Sequence, residues 1–295
     1  MKKVLIFTGG RADFGILKPL IKKIDKSKKF RLILAAGSHH YSKKLGFTYR
    51  EVLGEKLKIN YSTQGQIKST SSINTIDYCG KSMISYSKIL EKAKPDLIFL
   101  LGDRYEVFSF CVAAFLMNIP IAHLHGGELT QGAFDDALRH SITKMSNFHF
   151  VCHDEYKNRV IQLGENPKTV FNYGSLSLEN INRKKFTSKK QLLRQYKIPL
   201  ESKIILATFH PETKSNISFE NQINFFLSSL NKIKKSFIVF TCNNLDPSGD
   251  YFLNKIKEFN KKYSNSIIFK SMGIQLYHNF VTISDIVVGN SSSGI

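Results

Sequence analysis

The feature that most constrains the fold of this 295-residue chain is a regular alternation of short apolar runs with segments of helical periodicity. In residues 14–24, for example, Leu17, Leu20, Ile21 and Ile24 would share one helix face. The alternation predicts parallel sheets with helices on both faces, which is an α/β fold. The predicted strands are residues 3–8, 31–36, 96–102, 119–124, 148–152 and 169–173, followed by 203–209, 237–241, 266–270 and 285–289.

The alternation pauses at residues 174–191, a polar stretch rich in Ser, Asn and Lys. We interpret this stretch as the junction between two Rossmann-like domains, an N-terminal domain of residues 1–175 and a C-terminal domain of residues 176–295. Ligands of such open parallel sheets bind beyond the carboxyl ends of the strands. The residues that follow the predicted strands are therefore the candidates for chemistry.

The formal net charge of +20 is typical of a nucleic-acid-binding protein. Here the Lys residues are scattered over predicted helix faces and loops, without a long basic run or interleaved aromatic residues. We interpret them as a solvated surface that attracts anionic ligands, and we expect no nucleic-acid partner. No stretch approaches the roughly 20 apolar residues of a membrane span, and the N-terminal apolar run is too short for a signal peptide. The four widely spaced cysteines predict buried free thiols in a cytoplasmic protein.

The first predicted strand is followed by "TGGRADFG", in which Gly9 and Gly10 allow a tight turn and Arg11 can bind a phosphate in a forked manner. In isolation, the same residues fit an ordinary turn with a surface Arg equally well. After the third strand, Asp103 in "LGDRYE" would lie half-buried at the strand end, where it fits either catalysis or capping of the next helix.

The segment "HLHGGELTQGAFDDALRH", residues 123–140, contains the highest density of titratable groups. A helix here would place acidic and basic side chains on one face, with the pairs Asp135–Arg139 and Asp136–His140 each four residues apart. Such a face is usually solvated. This one follows a Gly-Gly turn at a strand end and carries almost no Lys, so we interpret it as a reaction site.

In the C-terminal domain, His210 of "HPET" follows a strand and is weak evidence alone. The last strand is followed by "NSSSGI", whose hydroxyl and backbone N–H groups would form an anion site at the start of a helix. No helix follows in this sequence.

Together these motifs resemble the UDP-N-acetylglucosamine 2-epimerases, specifically the hydrolysing branch that serves bacterial sialic and legionaminic acid synthesis. The similar segments keep the family's order and extend over essentially the whole chain: "TGGRADFG", "LGDRYE", "HLHGGE", "FDDALRHSITKMSNFHFV", "RVIQLGE", "FHPET" and "VVGNSSSGI". The resemblance implies a GT-B-like fold with UDP-sugar and the active site in the cleft between the domains. It also implies a homodimer or homotetramer for the full-length protein.

The sequence departs from that family in two places. Many relatives have Glu where this chain has His125, which leaves the role of His125 open and makes Glu128 the candidate working carboxylate. Relatives also continue beyond "NSSSGI", so the resemblance predicts a C-terminally truncated, incomplete second domain.

The resemblance implies conversion of UDP-N-acetylglucosamine and water into UDP and N-acetylmannosamine, by elimination of UDP and rehydration. We assign Asp103, Glu128 and Asp135 to acid/base catalysis, with Asp136 as the alternative to Asp135. Arg139 either holds Asp135 in place or contacts phosphate. The scheme requires no cofactor and no metal; the Asp, Glu and His cluster can bind a metal, but direct acid/base use is favoured. The residues assigned to UDP and its diphosphate are Gly10, Arg11, Arg139, His210, Ser291, Ser292, Ser293 and Gly294.

Other functions are compatible with the same residues. The substrate can instead be UDP-2,4-diacetamido-2,4,6-trideoxyhexose, the legionaminic acid precursor. The truncated chain can be an inactive UDP-binding fragment. A glycosyltransferase of the same fold would need an acceptor site and no acidic cluster at Asp135.

Overall fold

The computed structural model describes residues 1–43, 46–63, 71–130, 134–182, 186–210, 212, 215–241, 249–269 and 272–291. Its N-terminal part contains a seven-stranded parallel sheet. The strands are β1 (Lys2–Thr8), β2 (Phe30–Ala36), β3 (Tyr61–Ser62), β4 (Leu97–Leu101), β5 (Ile121–Leu124), β6 (Phe148–Val151) and β7 (Val170–Asn172). The helices are α1 (Arg11–Asp25), α2 (Tyr49–Gly54), α3 (Ser72–Ala93), α4 (Tyr105–Leu116), α5 (Asp135–Lys144), α6 (Asp154–Gln162) and α7 (Ser177–Asn182).

Both faces of this sheet are covered, which explains why its strands are continuously apolar. On one face, Phe7 stacks on Phe110 of α4 at 4.4 Å between ring centroids and meets Tyr86 of α3 edge-on at 5.2 Å. On the other face, Leu17 and Ile21 of α1 are completely buried. Full burial of side chains of this size stabilises the fold by about 1.5–3 kcal/mol each.

The strand order is β3-β2-β1-β4-β5-β6-β7, so β1 lies between β2 and β4. From β1 to β3, each successive strand is added on one side of β1. From β4 to β7, each successive strand is added on the other side of β1. The point where the order reverses leaves a crevice at the carboxyl ends of β1 and β4. Consequently the Gly9-Gly10 turn after β1 lies beside the segment that begins at Gly102 after β4.

The C-terminal part contains a four-stranded parallel sheet in the order β10-β9-β8-β11. Its strands are β8 (Lys203–Thr208), β9 (Ser236–Thr241), β10 (Ser266–Phe269) and β11 (Ile286–Gly289). Its helices are α8 (Lys189–Gln195), α9 (Phe219–Asn231), α10 (Gly249–Lys262) and α11 (Gly273–Ile283). Phe240 and Phe252 are buried on one face of the sheet, and Leu206 and Phe280 are buried on the other.

The chain divides into two compact units, one of Met1–Lys68 and Ile73–Asn182 and the other mainly of Arg183–Ile295. Helix α7 belongs to the first unit, because it packs on α1 and the buried Asn180 Nδ2 donates a hydrogen bond of 2.9 Å to Gly15 O. The division therefore follows residue 182, whereas the sequence predicted it after residue 175.

The predicted α/β class with parallel sheets is confirmed. No helix within the described ranges is both long and apolar enough to cross a membrane. Cys79, Cys111 and Cys152 are free thiols, as predicted, but only Cys111 is buried. The expectation of buried thiols was therefore wrong for Cys79 and Cys152, and Cys242 lies outside the described residues.

Candidate active site

The carboxyl ends of β4, β5 and β6 are joined by hydrogen bonds that fix the residues following each strand. Gly102 N donates to Leu124 O at 3.0 Å, and His125 N donates to Phe150 O at 2.9 Å. The buried His123 bridges two of these strands through its Nε2, 2.8 Å from Gly102 O. Burial lowers the pKa of His123 to about 3, so its ring is a neutral structural brace.

Asp103, directly after Gly102, is paired with Arg139 of α5. Arg139 is 4% exposed, and its Nη2 also donates to Thr130 Oγ1 at 2.9 Å. Burial raises the pKa of Asp103 in spite of the opposing Arg139 charge. Asp103 is thus a carboxyl group whose protonated form is favoured relative to an exposed Asp.

The polar face of α5 is directed into the protein. Arg139 and Thr143 are both buried, whereas Ala137 and Ser141 are exposed. This face is therefore not a fully solvated surface, and its interpretation as a reaction site stays a prediction.

Asp136 connects α5 to the loop that precedes it. Its Oδ1 accepts from Thr130 N at 3.1 Å and lies 3.7 Å from Arg139 Nη1. Its Oδ2 lies 3.7 Å from His140 Nε2, as the four-residue spacing predicted. Asp135 is half-buried in the first turn of the helix. Its predicted pairing with Arg139 and its catalytic role both stay predictions.

Glu128 lies in a compact group with His125 and Cys152. His125 Nδ1 is 2.8 Å from Glu128 Oε1, and one ligand atom from each of the three side chains lies within 4.8 Å of the others. Burial would lower the pKa of His125, but hydrogen bonds to Cys152 and Glu128 raise it to about 10. Burial would likewise raise the pKa of Glu128, but the His125 bond lowers it. Glu128 is also close enough to Asp103 to raise the pKa of Asp103.

The glycine turn after β1 rests on a second acidic pair, Asp13 and Glu106, of which sequence reasoning missed Glu106. Asp13 Oδ2 accepts from Gly9 N at 2.9 Å and from Gly10 N at 3.1 Å. Burial and the neighbouring Glu106 raise the pKa of Asp13 to about 6. A Cβ atom at Gly9 would lie 2.8 Å from Glu106 Cγ, so only glycine fits there.

Glu106 is 1% exposed and is held by two basic side chains. Arg104 Nε donates to Glu106 Oε1 at 2.8 Å, and His39 Nδ1 lies 3.2 Å from the same oxygen. Burial would raise the pKa of Glu106, but Arg104 and His39 lower it to about 2. Arg104 and Glu106 both belong to the "DRYE" motif. The signal that could have identified them is the presence of three charged residues within four positions directly after a strand.

The backbone N–H of Gly10 donates to Asp13 and is therefore not free to bind a ligand. Gly10 could contact a ligand only because the absence of a side chain lets the ligand approach the main chain closely. Arg11 is the first residue of α1 and is half-buried. The assignments of Gly10 and Arg11 to diphosphate stay predictions.

In the second unit, β8 and β11 place His210 and Ser291 after neighbouring strands. His210 N donates to Asn290 Oδ1 at 2.7 Å, and Asn290 Nδ2 donates back to His210 O at 2.9 Å. Gly289 has φ 141°, and a Cβ atom there would lie 1.6 Å from Thr208 O. These contacts fix the His210 backbone. Ser292, Ser293 and Gly294, which were assigned to diphosphate, lie outside the described residues.

The structure therefore brings Asp103, Glu128, Asp136 and Arg139 together at one edge of the first sheet. Comparison with known proteins identifies what kind of chain carries them. The family model described as UDP-N-acetylglucosamine 2-epimerase matches residues 22–295. The chain belongs to this epimerase family.

Similar proteins of this family include hydrolysing enzymes. A Campylobacter jejuni "GDP/UDP-N,N'-diacetylbacillosamine 2-epimerase (hydrolyzing)" is 36% identical over 100% of this chain and 77% of that protein. The Escherichia coli "Polysialic acid biosynthesis protein P7" is 36% identical over 100% of this chain and 75% of that protein. A Neisseria meningitidis UDP-N-acetylglucosamine 2-epimerase is 29% identical over 100% of this chain and 76% of that protein.

Solved structures of the family share the fold. The Neisseria meningitidis UDP-GlcNAc 2-epimerase bound to UDP-GlcNAc has a TM-score of 0.78 at 20% identity, covering 99% of this chain and 78% of that chain. The Methanocaldococcus jannaschii epimerase in complex with UDP-GlcNAc and UDP has a TM-score of 0.75 at 19% identity. The match covers 100% of this chain and 80% of that chain. The predicted resemblance and the GT-B-like fold are both confirmed.

Proposed function

We propose that this chain is a hydrolysing UDP-sugar 2-epimerase that converts UDP-N-acetylglucosamine and water into UDP and N-acetylmannosamine. The observation that carries the proposal is the convergence of Asp103, Glu128 and Arg139 in a chain of this family. The 36% identity to a relative named as hydrolysing supports the hydrolysing reaction rather than simple epimerisation.

The chemistry requires more than one carboxylate. The C2 hydrogen of the sugar becomes acidic only as the C1–O bond breaks and C1 gains positive charge. UDP leaves with the bonding electron pair, the C2 proton is removed, and a C1–C2 double bond forms. Water then adds at C1, and a proton is delivered to the opposite face of C2. Because removal and return occur on opposite faces, one group cannot do both.

We assign the return of the proton to Asp103, because burial raises its pKa above that of an exposed Asp even beside the Arg139 charge. Glu128 and Asp135 are the carboxylates assigned to proton removal and to stabilisation of the positive charge at C1, with Asp136 as the alternative to Asp135. Asp136 already accepts from the Thr130 backbone, which favours Asp135 for the proton transfer.

The departing diphosphate needs positive charge and hydrogen-bond donors. In the first unit we assign this role to Arg11 at the start of α1, where the helix dipole adds to its charge. In the second unit we assign it to His210 and Ser291, at the carboxyl ends of β8 and β11. Arg139 is committed to Asp103, and this pairing supports a positioning role for Arg139 over a phosphate contact.

The diacetamido sugar nucleotide is the second candidate substrate. Relatives from Campylobacter jejuni and Legionella pneumophila, 36% and 28% identical, are both named as epimerases of N,N'-diacetylbacillosamine nucleotides. The two candidates differ at C4 and C6 of the sugar but share the reacting atoms C1 and C2. The proposed acid/base residues therefore serve either substrate.

The test is the rate of UDP release from each sugar nucleotide by the wild-type chain and two matched variants. Asp103→Asn is expected to lower kcat by about 10²–10⁴-fold, the usual value of one proton-transfer group. Asp96→Asn changes the same kind of side chain next to the amino end of β4, where Asp96 binds Lys2 and Lys3, and should leave kcat unchanged.

Near-wild-type turnover by Asp103→Asn would remove Asp103 from the acid/base set. If UDP stabilises the wild-type chain against heat while neither nucleotide is turned over, the chain is a binding fragment and the proposed activity is wrong.

A further inference from the structure

We propose that His125, Glu128 and Cys152 form a binding site for a zinc-class divalent cation, that is, one that prefers mixed nitrogen, sulfur and carboxylate ligands. The proposal rests on three different donor types that the fold brings together from the two segments that follow β5 and β6.

The distances suit a small cation. His125 Nδ1 and Glu128 Oε1 are 2.8 Å apart, and each side chain offers one ligand atom within 4.8 Å of the other two. Ligand atoms around a tetrahedral zinc ion are about 3.3–3.7 Å apart, given bond lengths of about 2.0–2.3 Å. Side-chain movements of an ångström or less would therefore replace the direct hydrogen bonds of the cluster with bonds to a cation.

The backbone holds the donors in place before a cation binds. His125 and Cys152 are the first residues after the adjacent parallel strands β5 and β6, and His125 N donates to Phe150 O at 2.9 Å. His125 has φ 64°, a left-handed conformation that is strained for a non-glycine residue. Such strain persists where the surrounding structure enforces it, often at functional sites.

Glu128 is brought back to His125 by the intervening Gly-Gly turn. Gly127 has φ 79°, and its carbonyl oxygen accepts from Arg159 Nη1. A Cβ atom at Gly127 would lie 2.4 Å from Tyr156 O, so the turn is packed directly against α6. The position of Glu128 relative to Cys152 is thus set by main-chain packing.

The donor set selects the class of cation. Thiolate and imidazole ligands favour zinc and similar transition metals, whereas magnesium and calcium prefer oxygen ligands. Three protein ligands with one open position are the arrangement of catalytic zinc sites. All three side chains are partly exposed, so a cation can reach them from solvent.

The neighbouring charges permit a cation. The Arg139 charge acts on Glu128, but Arg139 is itself paired with Asp103, which offsets its positive charge. Coordination would occupy the carboxylate of Glu128 and withdraw it from acid/base chemistry. Cation binding should therefore inhibit the enzyme; this consequence rests on the proposed function, whereas cation binding itself does not.

The experiment is a titration of the metal-free protein with Co²⁺, followed by absorption in the near-ultraviolet and visible ranges and by displacement with Zn²⁺. The wild-type chain should show a thiolate-to-cobalt charge-transfer band and d–d bands of tetrahedral intensity. Cys152→Ser should lose the charge-transfer band, and its Zn²⁺ affinity should fall by more than about 100-fold, since losing only an outer-shell partner costs roughly 10–100-fold.

Cys79→Ser is the matched control, because Cys79 is also a partly exposed free thiol and lies on α3, outside the cluster. It should keep the wild-type spectrum. His125→Asn, which tolerates the left-handed backbone, should keep the thiolate band but weaken the affinity.

A wild-type chain without the charge-transfer band, or a Cys152→Ser variant that retains it, would overturn the proposal. Because these readouts need no substrate, they are independent of whether the chain is a hydrolysing epimerase. Inhibition by Zn²⁺ in the wild type but not in Cys152→Ser would then connect the site to catalysis.

Discussion

At the residue scale, Arg139 shows how a partner can be invisible to sequence periodicity. The spacing along α5 predicted a pair with Asp135, four residues away, and this pair stays a prediction. In the structure Arg139 pairs with Asp103, which follows β4, is distant in sequence and could not be found from the helical spacing. The helical spacing rule concerns neighbours on one helix, whereas a buried guanidinium is satisfied by whichever carboxylate the tertiary fold supplies.

A second buried polar network lies under the glycine turn, and its members His40 and Thr48 belong to no motif found in the sequence. His40 is completely buried between two hydroxyl groups, with Nε2 3.0 Å from Thr8 Oγ1 and Nδ1 2.9 Å from Thr48 Oγ1. The Thr8 hydroxyl donates to Gly10 O, so His40 Nε2–H donates to Thr8 Oγ1.

We predict that His40 makes the protein sensitive to acid. Burial and the adjacent His39 lower the pKa of His40 from 6.5 to about 4 in the folded state. Between those pH values the unfolded chain binds a proton that the folded chain does not, so the free energy of unfolding falls as the pH falls from 6.5 to 4. The His40 contribution to this loss is up to about 3 kcal/mol.

Urea unfolding of His40→Gln between pH 7 and pH 4 measures this contribution, since the variant should lose less stability over that range than the wild type. His153→Gln, which changes an exposed His at the start of α6, should keep the wild-type dependence. Equal pH dependences for His40→Gln and the wild type would show that His40 is not the responsible group.

At the element scale, the long buried strands were predictable, because a short uninterrupted apolar run bounded by polar residues is typical of a strand buried on both faces. Strand β1 was predicted as residues 3–8 and spans Lys2–Thr8. Strand β3 has two residues, and such a short element carries no periodicity to detect. Helix α7 lies in a polar stretch and is held by its contacts with α1, which are not encoded locally.

The Gly126-Gly127 turn is the element on which Glu128 depends, and we predict that Gly127 cannot be replaced. Gly127→Ala should lower the free energy of unfolding by about 2 kcal/mol or more, because it combines a positive φ with contact to Tyr156 O. Gly80→Ala provides the contrast, since a Cβ atom at Gly80 of α3 meets nothing within 4 Å. It should raise the free energy of unfolding by about 0.5–1 kcal/mol.

Urea unfolding of the two variants at neutral pH tests this difference. A Gly127→Ala variant as stable as the wild type would mean that the turn can rearrange. The proposed position of Glu128 would then lose its support.

At the scale of the whole molecule, the formal net charge of +20 should act on ligands as a long-range field. We predict that the association rate of UDP falls by about tenfold between ~0.01 M and ~0.15 M salt, as the screening length shortens from about 30 Å to about 8 Å. Stopped-flow measurements with UDP and with uncharged uridine separate this effect. A similar salt dependence for both ligands would contradict it.

Fold class and the edge of the first sheet that carries the candidate site followed from the sequence, because a parallel sheet brings successive strand ends together. The cluster of His125, Glu128 and Cys152 did not, since it depends on β5 and β6 being neighbours with His125 opposite the end of β6. The buried Glu106 was missed for the same reason: its partner His39 follows β2, on the other side of β1 from β4.

The most direct test of the proposed activity is proton NMR of the wild-type chain with UDP-N-acetylglucosamine, and in parallel with the diacetamido nucleotide, in D₂O. We predict free UDP together with the C2 epimer of the released sugar, carrying deuterium at C2 because the returning proton comes from solvent. UDP released with a sugar of unchanged configuration that retains its C2 proton would indicate simple hydrolysis. That result, or no change to either nucleotide, would contradict a hydrolysing 2-epimerase.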